Sequence, residues 1–100
     1  MVLMVKKRNN DEFEEIYIEK LIDSDNLLRT IRKNGERYVG EHNCGIPNGK
    51  GMQTWPGGNF YIGSFKDGVR HGWGTYTHPS GIKETCYFYK GKPSLTLRFR

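Results

Sequence analysis

The feature that most constrains this chain is an internal repeat. Displacing the sequence by 23 residues superposes Gly35 on Gly58, Tyr38 on Tyr61, Gly40 on Gly63 and Gly45 on Gly68. The same displacement sets Gly49 on Gly72, Gly51 on Gly74, Pro56 on Pro79 and Gly58 on Gly81. A third copy begins at Gly81 and decays: Gly91 keeps its place, but Glu84 stands where Tyr belongs and Cys86 where Gly belongs.

Each copy reads as a β-hairpin. Side chains alternate along a strand, so Tyr61, Gly63 and Phe65 share one side of Asn59–Phe65, and Gly74, Tyr76 and His78 share one side of the returning segment. Lys66–His71 is polar and turn-like, and Pro79-Ser80-Gly81 turns the chain again. Turn signals recur roughly 11 residues apart, the spacing of a β-meander. Glycine weakens a strand interior. Its recurrence in register with tyrosine places a ring from one strand over a neighbour's glycine. On this reading Gly40, Gly45, Gly49, Gly51, Gly63, Gly68, Gly72 and Gly74 serve the repeat and not a phosphate.

The segment Tyr61-Ile-Gly63-Ser-Phe65-Lys-Asp-Gly68-Val-Arg-His-Gly72-Trp-Gly74-Thr-Tyr76 resembles a MORN repeat (membrane occupation and recognition nexus). Tyr38–Trp55 resembles it too, with His42 in the aromatic position and Gln53 where the second copy has Tyr76. The resemblance implies an all-β, single-layer, twisted antiparallel meander of stacked hairpins. It implies function loosely, since MORN arrays serve as scaffolds, dimerisation modules, lipid-binding modules or appendages to enzymes.

The organisation follows: residues 1–10 a flexible leader, 11–34 an N-terminal capping segment, 35–91 the array (35–57, 58–80 and a degenerate 81–91), and 92–100 a C-terminal edge strand. Asn34-Gly35 suits a tight primed turn between two strands. Glu14–Ile22 has β-branched Ile16, Ile18 and Ile22, which favour a strand, although Asp11 and Glu14 resemble a helix capping box. Leu95, Leu97 and Phe99 alternate with Thr96, Arg98 and Arg100, as in a half-buried strand.

Composition narrows the classes of function. No apolar run approaches the ~20 residues of a membrane span, and Met1–Val5 is too short for a signal-peptide core. Cys44 and Cys86 form no CxxC pair and read as free thiols of a reducing, cytoplasmic compartment. Residues 1–25 carry a net charge of −3 and residues 26–100 a net +8. That basic body leaves peripheral contact with an anionic membrane as an alternative, through Lys66, Arg70, Lys83, Lys90 and Lys92. Nucleic acid fits less well, because alternation turns the rings toward the sheet.

Catalytic and metal chemistry find little support. His71, His78 and Cys44 are nucleophile or base candidates by type alone, and His42 with Cys44 makes only one close ligand pair where structural zinc uses two. No catalytic residue, metal, cofactor or small-molecule substrate is assigned. The expected function is a non-enzymatic scaffold whose sheet face offers Tyr38, His42, Trp55, Tyr61, Phe65, Tyr76 and Phe88 to a protein partner or a second copy. His78 joins that face, and Ile31, Val39, Met52, Ile62, Trp73 and Tyr87 line the other. Homodimerisation could also use the edges, with Glu12, Glu14, Glu15 and Glu19 guarding one and Arg98 and Arg100 the other.

Overall fold

The computed structural model describes residues 2–8 and 12–99, with side chains over residues 19–97. Among these, nine strands form one open sheet in chain order: β1 (Val2–Arg8), β2 (Glu12–Ile22), β3 (Leu28–Ile31), β4 (Arg37–Asn43), β5 (Ile46–Thr54), β6 (Phe60–Lys66), β7 (Val69–Thr77), β8 (Lys83–Tyr89) and β9 (Lys92–Phe99). Every neighbouring pair is antiparallel. The described residues include no helix long and apolar enough to cross a membrane.

Two kinds of turn alternate, each repeating with the 23-residue period. At one end of the sheet, Cys44-Gly45, Asp67-Gly68 and Lys90-Gly91 have positive φ at both positions. Two such residues in succession make the primed turn, whose twist matches that of paired strands. At the other end, the amides of Gly35, Gly58 and Gly81 donate to the carbonyls of Arg32, Trp55 and His78 at 2.9, 3.1 and 2.8 Å. There only the glycine is left-handed, at φ +91°, +97° and +95°.

Asn34-Gly35 therefore joins β3 to β4 by a different turn from the primed one its sequence suggests. Asn34 keeps a negative φ, and its Oδ1 accepts the Glu36 amide at 2.9 Å. The turn after β6 is also shorter than the sequence implies, since β7 begins at Val69.

The flanks extend the sheet. β2 is a strand, as its β-branched residues favour. Val2–Arg8 forms β1, where the sequence suggests a loose leader. The register sets Lys6 opposite Glu14 and Arg8 opposite Glu12. The acidic segment is consequently an interior strand, and the guard expected at the N-terminal edge does not lie there. β9 closes the other edge. Its pairing with β8 shifts by one residue between Tyr87 and Phe88, which puts Leu95 and Leu97 on the open side at about half exposure. The expected half-burial of that strand is not found.

The core lies on one face only. Gly40, Gly51, Gly63 and Gly74 stand directly opposite one another on β4, β5, β6 and β7, with Leu28 and Cys86 ending the row. This line of missing side chains is a trough across four strands. The next row holds Tyr38, Gln53, Tyr61 and Tyr76. The rings of Tyr38 and Tyr61 fall along their strands into the trough. A Cβ on Gly51 or Gly74 would overlap the Tyr38 or Tyr61 ring, and one on Gly40 or Gly63 would meet the phenol oxygen at 2.7 or 2.6 Å. Tyr61 and Leu28 are fully buried in consequence.

Gly63→Val is expected to destabilise the fold by about 1–3 kcal/mol, because the added carbons meet the Gly74 backbone and the Trp73 carbonyl as well as the Tyr61 phenol. In Gly57→Ala the new methyl meets only the Asn59 Oδ1 at 3.3 Å. Urea unfolding of both variants checks this: a large midpoint loss for the first and little change for the second.

Candidate interaction face

The face expected to present rings to a partner is largely closed by its own packing. Tyr38 meets Phe65 at 4.8 Å between centroids, Phe65 meets Tyr61 at 5.4 Å, and Tyr61 meets Phe88 at 5.4 Å. All three contacts are edge-to-face, the arrangement that aromatic quadrupoles favour. The four rings are at most 5% exposed. Tyr38, Tyr61, Phe65 and Phe88 are thus the core, and the reading of them as exposed contact residues is corrected. With no second layer over this inner face among the described residues, the rings must lie down on one another to escape water.

Each tyrosine also disposes of its hydroxyl. Tyr38 donates to the Glu41 carbonyl at 2.6 Å and Tyr61 to the Ser64 carbonyl at 3.2 Å, a bond repeated with the period. His42 occupies the position that Phe65 fills in the next copy, yet it is half-buried and serves its hairpin. Its Nδ1 accepts the Gly45 amide at 3.0 Å, and its Nε2 lies 3.4 Å from Asn26 Oδ1.

What stays open on the inner face is a short groove around Trp55 and Tyr76. Their rings meet edge-on at 6.0 Å, and Asn59 Nδ2 donates to the Tyr76 hydroxyl at 2.7 Å. A cavity of about 230 Å³ is lined by Arg32, Glu36, Gln53, Trp55 and Arg70, among others. A second, of about 370 Å³, is lined by Trp55, Tyr76, Glu84, Cys86 and Phe88, among others. Arg70 borders both. Two carboxylates are almost buried here: Glu36 lies 3.7 Å from Arg32 and Glu84 lies 2.9 Å from His78. Gln53 Oε1 is buried without a hydrogen-bond partner.

The five basic residues named from the sequence do not form one surface. Lys66 and Lys90 border a cavity at the primed-turn end, and Lys92 follows that turn. Lys83 begins β8 at the opposite end, and Arg70 lies within the groove. The outer face carries Met52, Ile62, Trp73, Leu95 and Leu97, all exposed, with Trp73 and Tyr87 at 5.1 Å. Cys44 is exposed, Cys86 is buried, and both are free. Among the described residues no three His, Cys, Asp or Glu side chains gather as metal ligands do.

Glu36 and Asn59 have no prominence in the sequence, and Gln53 stands out only as a departure from the repeat. The available signal was their place in the repeat, since Gln53 replaces a tyrosine and Arg70 stands where Pro47 and Pro93 stand one period away. A model of the MORN repeat family matches residues 38–60 and 61–83, each match opening on one of the two core tyrosines. A search of curated proteins finds no match to the chain.

Burial, and next the Glu41 carboxylate, push the Tyr38 phenol from 10.0 up to about 12. Burial raises Tyr61 as well, against the opposing pull of Arg70. A raised phenol keeps its proton in the folded chain after the unfolded chain has released it. The stability it contributes is full below about pH 10 and is lost as pH rises toward about 12. Urea midpoints should fall across that window, and the deficit of Tyr38→Phe relative to wild type should narrow there.

Proposed function

Because the chain is a MORN-repeat protein, we propose that it acts as a non-catalytic interaction module whose inner groove receives an extended segment of a protein partner. The observation that carries this reading is the contrast within one face. Four rings are sealed, whereas Trp55 and Tyr76 are only partly buried, Trp55 lining both cavities and Tyr76 the larger. A partly buried tryptophan and tyrosine beside an arginine are the residue types on which binding energy concentrates. The groove is open along the sheet, which suits a chain more than an enclosed small molecule.

The non-catalytic part rests on the histidines. His42 accepts the Gly45 amide, His71 Nδ1 accepts the Lys90 amide at 3.0 Å, and His78 is held by Glu84. Each is engaged in a structural hydrogen bond, and none faces a serine or cysteine within these bonds. The phospholipid alternative would draw on Lys66, Lys90 and Lys92 at the primed-turn end, with Lys83 too far along β8 to join them. Self-association would use the apolar outer face, since β1 and β9 both bear cations that oppose edge-to-edge pairing.

Selection of linear peptides from a displayed library tests the groove. The recovered binders are expected to lose about tenfold or more in affinity on Trp55→Ala, the effect of removing an anchor residue. They should tolerate Trp73→Ala on the outer face. Binders that respond to Trp73 and ignore Trp55 would refute the reading. Light scattering separates the dimer: mass that rises with protein and with salt points to the outer face.

A further inference from the structure

Arg70 is the one charged residue at its position in the repeat, where Pro47 and Pro93 stand in the flanking copies. Its guanidinium lies 4.7 Å from the Phe88 centroid, 5.4 Å from Trp55 and 5.8 Å from Tyr61. Ring faces attract a cation, but they leave its N–H groups without acceptors. Among the described residues, no carboxylate or hydrogen-bond acceptor reaches this guanidinium. The two acidic side chains of the groove are engaged elsewhere, Glu36 with Arg32 and Glu84 with His78. Arg70 is therefore the cation of the groove that no carboxylate of the described residues pairs.

We propose that Arg70 is the recognition residue of this groove and binds the carboxylate of an acidic side chain in an extended peptide. This rests on the reading of the groove as a peptide site and adds the chemistry of its ligand. A guanidinium meets a carboxylate through two parallel N–H donors, a geometry that an ammonium cannot reproduce. Three rings already fix the position of the guanidinium, so little side-chain freedom is lost on binding. In an extended peptide, residues two apart point to the same side about 7 Å from one another. The residues two before and two after the acidic one then reach the cavities on either side of Arg70. The larger is lined by Trp55, Tyr76, Phe88 and Pro93 and takes an apolar side chain. Gln53 lines the other, and its Oε1 is buried without a hydrogen-bond partner. A membrane surface offers anions too, but no side chains to fill two cavities that flank the cation.

Two capped pentapeptides, Leu-Ser-Glu-Ser-Phe and Leu-Ser-Gln-Ser-Phe, test this on the full chain. The indole N–H signals of Trp55 in the groove and Trp73 on the outer face report binding by NMR. The Glu peptide should shift Trp55, leave Trp73 in place, and bind about tenfold or more tightly than the Gln peptide, as a charge-assisted bond requires. Arg70→Gln should reduce that preference to about one, and Arg70→Lys should retain only part of it. Thermal melts establish that the variants fold, and Arg70→Lys carries the test where Arg70→Gln does not. Equal binding of both peptides at Trp55 would overturn the role of Arg70 and leave the groove as a peptide site. No shift of Trp55 up to about 1 mM of either peptide would overturn the proposal. An Arg70-dependent shift by phosphatidylcholine–phosphatidylserine vesicles, without one by the peptides, would give the site to a lipid headgroup and overturn it as well.

Discussion

A single sheet has no second layer to bury against, so its stability depends on what one face can do alone. In this chain the answer is a tyrosine laid across glycines. Tyr38 lies over Gly40 and Gly51, and Tyr61 over Gly63 and Gly74. Each ring thereby buries against backbone instead of against a facing layer. Its hydroxyl, which would be costly to bury unpaired, reaches a carbonyl three residues on. The glycines are required for a steric reason on this row. At the turns they are required for a conformational one, as at Gly68, where φ is +89°.

The same device sets the period. A ring needs glycine on its own strand and on the next, so the motif spans a hairpin and its turns, and the hairpin recurs. Phe65 then fills the gap between Tyr38 and Tyr61, and Phe88 packs on Tyr61 beyond it, which makes the ladder continuous from β4 to β8. The primed turns add a further bond between copies, since the amides of Gly68 and Gly91 donate to the carbonyls of Pro47 and Arg70 at 3.0 and 2.8 Å. Each copy is held both by rings and by the backbone of the one before it.

Much of this was legible in the sequence because it depends on neighbours two residues or one period apart. The repeat, the hairpins, the ring-over-glycine contact and the division of side chains between two faces all follow from spacing. The exposure of the ring-bearing face did not follow. Alternation tells which side Tyr61 and Phe65 take, but whether they stand up or lie down depends on four strands together. Turn type was half legible, because Asn34-Gly35 has the composition of a primed turn and lies at the end of the sheet where the chain needs another residue. The strand at Val2–Arg8 was missed because its charges suggest a solvated leader. Its partner is the oppositely charged β2, and that pairing shows only once the register is known.

The groove is legible in another way, as a failure of the repeat. Gln53 stands where the second copy has Tyr76, and Arg70 where its neighbours have proline. Glu84 and Cys86 replace the tyrosine and glycine of a third lock. These four residues line the two cavities: Gln53 and Arg70 the first, and Arg70, Glu84 and Cys86 the second. Where the lock is complete, a ring fills the trough and nothing can enter. Where a lock residue is replaced, a ring is missing and space opens beside Trp55 and Tyr76. Three of the four replacements, Gln53, Arg70 and Glu84, are polar or charged and border that space. The regular positions of the repeat are spent on its own core, and the open groove lies where the rule is broken.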